Sequence, residues 1–72
     1  PRHQLRPGKR EGGFSVWSYD DNRKLAAVEA VRDPAGYMLG KKCLDLGVSP
    51  DPDDIGNGDF DIKAFIAAGN EK

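Results

Sequence analysis

Asp21-Asn-Arg-Lys-Leu-Ala-Ala-Val-Glu-Ala-Val-Arg-Asp33, continued by Pro34-Ala-Gly-Tyr-Met-Leu-Gly-Lys-Lys-Cys-Leu-Asp-Leu-Gly47, is where the architecture of this chain is written. In the second half, Asp33 is a good N-cap, and Pro34 suits the first helical position, where a missing N–H costs nothing. Gly47 sits where a left-handed terminating residue belongs. At about 100° per residue, Tyr37, Leu39, Cys43, Leu44 and Leu46 fall on one broad side with Gly36 and Gly40 in its middle. Met38, Lys41, Lys42 and Asp45 take the other side. Two glycines inside a helix cost about 2 kcal/mol relative to alanine, so a neighbouring backbone is expected close against them.

The first half reads as a helix too. Leu25, Val28 and Val31 recur every third residue with Ala26, Ala27 and Ala30 beside them, leaving Arg23, Lys24, Glu29 and Arg32 to water. With Ser18 or Asp20 as cap, this spacing predicts a helix over Asp21 to Arg32, and Asp33-Pro34 turns the chain into the next one.

Working outward, Val48 to Gly58 is turn chemistry anchored by Ile55 alone. A last helix follows from Asp61 to Ala68, with Asp61 as N-cap and Phe60 and Phe65 placed to form a hydrophobic staple. Gly69 ends it, and residues 70–72 are expected to fray. On the other side, Phe14 to Tyr19 is rich in aromatic and β-branched residues and reads as a short extended segment. No second strand is evident to pair with it, so it is expected to lie as a strap over the helices. Pro1 to Gly13 holds two prolines, three glycines, four Arg/Lys and one aliphatic side chain, the composition of a flexible arm.

The fold expected is therefore mainly α: a small three-helix domain over residues 14–72 with a short extended segment, led by a flexible basic arm over residues 1–13. Its core would be Leu25, Val28, Val31, Tyr37, Leu39, Cys43, Leu44, Leu46, Ile55, Ile62, Phe65 and Ile66, with Phe14 and Val16 or Trp17 closing one side.

Composition limits the functions available. Seventy-two residues make at most one domain, with a modest core that a partner could supplement. A hydrophobic content of 38% beside 32% charged residues suits a soluble globular domain. No apolar run is long enough to span a membrane and no leader opens the chain, so a cytoplasmic protein, or one associated with a nucleoid or virion, is expected. One cysteine and one histidine make neither a disulfide nor a zinc set, and Cys43 reads as a small buried hydrophobe in a reducing compartment. No metal or cofactor is expected. The net charge of −1 hides a basic end and an acidic end: +3 over Pro1 to Lys24 against −5 over Asp45 to Lys72.

That asymmetry supplies the candidate site. Arg2, Arg6, Lys9 and Arg10 on an arm unable to fold alone suit contact with phosphates, and Trp17 and Tyr19 follow closely enough to stack on bases. Arg23 and Lys24 extend the basic surface. The function expected is that of a non-catalytic binding protein associated with nucleic acid, DNA-binding included. The alternative is an accessory or structural subunit docked in a larger protein assembly by its arm and aromatic strap.

Other chemistries fail on spacing. The acidic residues from Asp51 to Asp61 do not fit a twelve-residue calcium loop in either register, because Ile55 falls on a ligand position in both. A helix-turn-helix needs a turn of about three or four residues, and at least ten separate the helices here. Pro1 as a catalytic amine would need an apolar pocket that Arg2-His3-Gln4 does not offer. No nucleophile and base can be assembled, so no enzyme is expected.

Overall fold

The computed structural model describes residues 2–70. The expectations placed on Pro1 and on the fraying of residues 71 and 72 lie outside the described residues. Three antiparallel strands come first, β1 (Arg2–Pro7), β2 (Phe14–Tyr19) and β3 (Leu25–Val31), in the spatial order β1-β2-β3. Three helices follow, α1 (Pro34–Leu46), α2 (Pro52–Ile55) and α3 (Ile62–Asn70). The protein is thus a small α+β domain, and the mainly-α reading is overturned in its first half.

The expected helix over Asp21 to Arg32 is a hairpin turn and a strand. Asp20 Oδ1 accepts from the backbone N–H groups of Asn22 at 2.8 Å and Lys24 at 3.0 Å, so the carboxylate closes a turn instead of capping a helix. Arg23 completes the turn at φ +61°, a value no helix interior allows. Beyond the turn, Tyr19 pairs with Leu25 and Ser18 with Ala27, which leaves Ala26 as an unopposed bulge. The extra residue resets the alternation. Leu25 and Val28 both turn toward the helices although they are three apart, the spacing that a helix face would also show.

The arm is a strand as well. Residues Arg2 to Pro7 pair in unbroken register with Tyr19 to Phe14. The glycines of the leader build the connecting loop: Gly8 N–H donates to Gly13 O at 2.8 Å, Gly13 N–H to Arg10 O at 2.9 Å, and Gly12 takes φ +76°. The strand that Phe14 to Tyr19 lacked on sequence grounds is therefore present on both sides of it.

The second half follows its local signals. Asp33 Oδ1 accepts from Gly36 N–H at 3.1 Å, Pro34 opens α1, and Gly47 closes it at φ +71°. Asp61 Oδ1 accepts from Ala64 N–H at 3.1 Å, and the Phe60 and Phe65 rings of the staple lie 6.0 Å apart. α2 is a single turn inside the stretch read as loop; Asp51 caps it by accepting from Asp53 N–H at 2.8 Å.

The helices cover one face of the sheet, with α1 on β3, α2 on β1 and α3 against α1. A Cβ placed on Gly40 would fall 2.6 Å from both γ carbons of Val28, so the close neighbour is a strand side chain. Trp17, Tyr19, Leu25, Cys43, Ile55, Ile62 and Ile66 form the buried core. Four expected core residues, Val31, Tyr37, Leu44 and Leu46, are exposed instead, because the second layer is a sheet centred on Trp17 and not a helix.

Candidate functional site

The eight residues expected to grip an anionic partner are mostly engaged within the molecule. Arg2, on the inner side of the edge strand β1, donates from Nη2 to Asp53 Oδ1 at 2.8 Å and to Gln4 Oε1 at 3.1 Å. Arg23, held at its left-handed φ, donates to both carboxylate oxygens of Asp51, each at 3.1 Å. The basic end of the sequence is thus folded onto the acidic end. Asp51 is held below the usual carboxylate range, first by the backbone N–H of Asp53 and further by the Arg23 guanidinium.

Arg6 is committed more deeply. Its guanidinium reaches the carbonyl oxygens of Ile55 at 3.2 Å, Asn57 at 2.9 Å and Phe60 at 2.7 Å. It pins the segment between α2 and α3 under β1. Of the remaining candidates, Lys9 and Arg10 stand exposed on the β1–β2 loop and Lys24 stands exposed at the start of β3.

Neither aromatic can stack on a base. Trp17 is fully buried and its Nε1–H donates to Ser15 Oγ at 2.9 Å. Tyr19 is 2% exposed and its hydroxyl donates to the Pro50 carbonyl at 2.7 Å. Burial, reinforced by the nearby Cys43 and Asp51, raises the Tyr19 phenol well above its ordinary range. Burial also pushes the Cys43 thiol up to about 11, which disfavours its thiolate form at neutral pH. Among the described residues no group of three or more His, Cys, Asp or Glu could hold a metal ion, and no helix is long and apolar enough to cross a membrane.

The concavities are shallow and open. One of about 320 Å³ runs between α1 and α3, floored by Leu39, Ile66 and Ala67 and rimmed by Lys42 and Lys63. Another of about 290 Å³ lies between the β1–β2 loop and the start of α1, beside Lys9, Asp33 and Gly36. Neither encloses a small molecule.

The feature that sequence reasoning missed is the sheet face turned away from the helices. Register places Pro7, Phe14 and Val31 in one row across it, Leu5, Val16 and Glu29 in the next, and His3, Ser18 and Ala27 in the third. His3 Nδ1 and Ser18 Oγ hydrogen-bond at 2.8 Å, so the polar row is closed on itself. Leu5 is 51% and Val31 47% exposed. The signal was present in the alternation of Leu5, Pro7, Phe14 and Val16, but it needed β1 to be read as a strand.

The sequence model of a family described as Reductase C-terminal matches residues 2–66. No curated protein and no solved structure gives a match. The match spans most of the chain, which therefore belongs to the Reductase C-terminal family. It corrects two expectations: a protein standing outside enzymes is replaced by one drawn from a reductase family, and nothing in the family or fold points to DNA binding. The physical reason is that both aromatics and three of the six cations which suggested nucleic acid, Arg2, Arg6 and Arg23, are engaged within the molecule.

Proposed function

We propose that this Reductase C-terminal domain works as part of an oxidoreductase, docked on the portion that carries the redox chemistry and needed for that portion to work. The observation that carries this reading is the family match over residues 2–66. The buried and protonated Cys43 and the shallow concavities agree with redox chemistry housed elsewhere in the enzyme. The apolar side chains left in water agree with a partner surface. Docking in a larger assembly by the leader and the aromatic strap was the alternative reading of the sequence, and it is the one this proposal takes up.

The test is made on the intact reductase that contains this domain. Purified with and without residues 2–70, it is assayed for electron transfer from its own reductant to ferricyanide as general acceptor. Loss of most of the rate on removal is the expected result. An unchanged rate removes the reading.

A further inference from the structure

We infer that the helix-free face of the sheet, centred on Leu5, Phe14 and Val16, is the seat on which the rest of the reductase packs. This rests on the reductase reading above and names the surface and the occupant. An antiparallel sheet with one solvated face alternates apolar-in and polar-out. This one does not. Ser15, Trp17 and Tyr19 of β2 point at the helices, and its outward residues are Phe14, Val16 and Ser18. Across the nine outward positions only His3, Ser18 and Glu29 are polar, and two of those three bond to each other. Glu29 is the one charged side chain that the face offers water, and it lies at the β3 margin.

The occupant follows from connectivity. The family is described as the C-terminal part of a reductase; in that arrangement the remainder of the enzyme comes earlier in the polypeptide and would join this domain through β1, its first strand. β1 is an edge of the sheet, and its outward residues His3, Leu5 and Pro7 belong to this same face. The body of the enzyme is thus tethered at the margin of the apolar surface, where a short link supplies a high effective concentration. A second exposed apolar surface, around Met38 and Leu46 on α1, is broken by Lys41, Lys42 and Asp45 and lies on the helix side of the sheet.

Cysteine accessibility in the intact reductase tests this. Leu5→Cys and Met38→Cys are introduced separately, since Leu5 is 51% and Met38 67% exposed in the domain itself. Each is labelled with a maleimide at neutral pH, followed by peptide-resolved mass spectrometry, and each rate is divided by its rate in denaturant. The buried Cys43 serves as the internal protected reference. The expected result is a Leu5→Cys rate slowed by roughly tenfold or more relative to Met38→Cys, independent of protein concentration.

Equal rates at the two positions, or protection of Met38→Cys in place of Leu5→Cys, overturn the assignment. Protection of Leu5→Cys that disappears on dilution assigns the face to a second copy and overturns it too. The two ideas fail separately. If removing residues 2–70 abolishes activity while Leu5→Cys stays reactive, the domain serves the reductase through another surface.

Discussion

Arg6 shows how a single charged side chain can be misread when its partners are remote. Its three acceptors are main-chain carbonyls 49 to 54 positions away, and nothing within the leader indicates them. A guanidinium presents five N–H donors in a planar fork, which allows one side chain to satisfy several carbonyls at once. Hydrogen bonds involving a charged group contribute about 1.5 to 3 kcal/mol each when buried, and the half-buried setting of Arg6 reduces that. Arg6→Ala should therefore destabilise the domain by about 2 to 3 kcal/mol in urea denaturation, while Arg6→Lys, with a compact ammonium, recovers less than half. A loss below about 1 kcal/mol would show that solvent replaces the clamp. Arg2 and Arg23 were misread for the same reason, since their carboxylates lie 51 and 28 positions on. Trp17 and Tyr19 were misread differently. The Trp17 indole N–H and the Tyr19 hydroxyl look like surface features until Ser15 and Pro50, respectively, are seen to receive them.

At the scale of elements, legibility divides between signals that are local and signals that are not. The caps of α1 and the staple of α3 each involve residues within a few positions; α1 stands where the sequence put it, and α3 begins there but runs on through Gly69, its expected stop, to Asn70. β3 could not be read that way. A bulge at Ala26 gives Leu25 and Val28 the three-residue spacing of a helix, and alanine-rich composition does not break the tie. The pairing of α1 with β3 was partly visible, because glycines on an apolar face announce a close approach without saying to what. Gly40 permits the approach by lacking the Cβ that would meet Val28. Gly40→Ala gains about 1 kcal/mol in helix propensity, yet overpacking against a β-branched neighbour costs about 1 to 3 kcal/mol. The expected outcome is net destabilisation, measured by thermal melting, that is partly relieved when Val28→Ala is added. Additive effects of the two substitutions would mean that α1 shifts freely and that the contact does not fix its distance from the sheet.

For the molecule as a whole, the sheet was illegible because each strand needs the others. β1 alone is a polar leader, β2 alone is an unpaired strap, and only the register across all three brings the apolar outward rows together. The helices then seal the opposite face, and Cys43 and Tyr19 meet in that seal, where both are driven toward their protonated forms by burial. This makes global stability sensitive to alkali, with a definite sign. The Cys43 thiol titrates from its ordinary 9.0 when unfolded to about 11 when folded, and the Tyr19 phenol from 10.0 to a higher value. Below the unfolded values both groups hold their protons in either state, and their contribution to stability is fully present. Between the unfolded and folded values the unfolded chain binds fewer protons, so stability falls as pH rises, by up to about 1.4 kcal/mol per pH unit for each group. Urea midpoints of the chain should be flat from about pH 7 to 8.5 and then decline through pH 11. Cys43→Ala, though less stable overall from the lost packing, should delay the onset of the decline by about one unit, to where Tyr19 begins to titrate when unfolded. Tyr19→Phe should leave the onset in place and shallow the slope above pH 10.0. Midpoints that stay level to pH 11 in the parent chain would mean that water reaches the seam between the sheet and α1, and that the two groups ionise there without opening the fold.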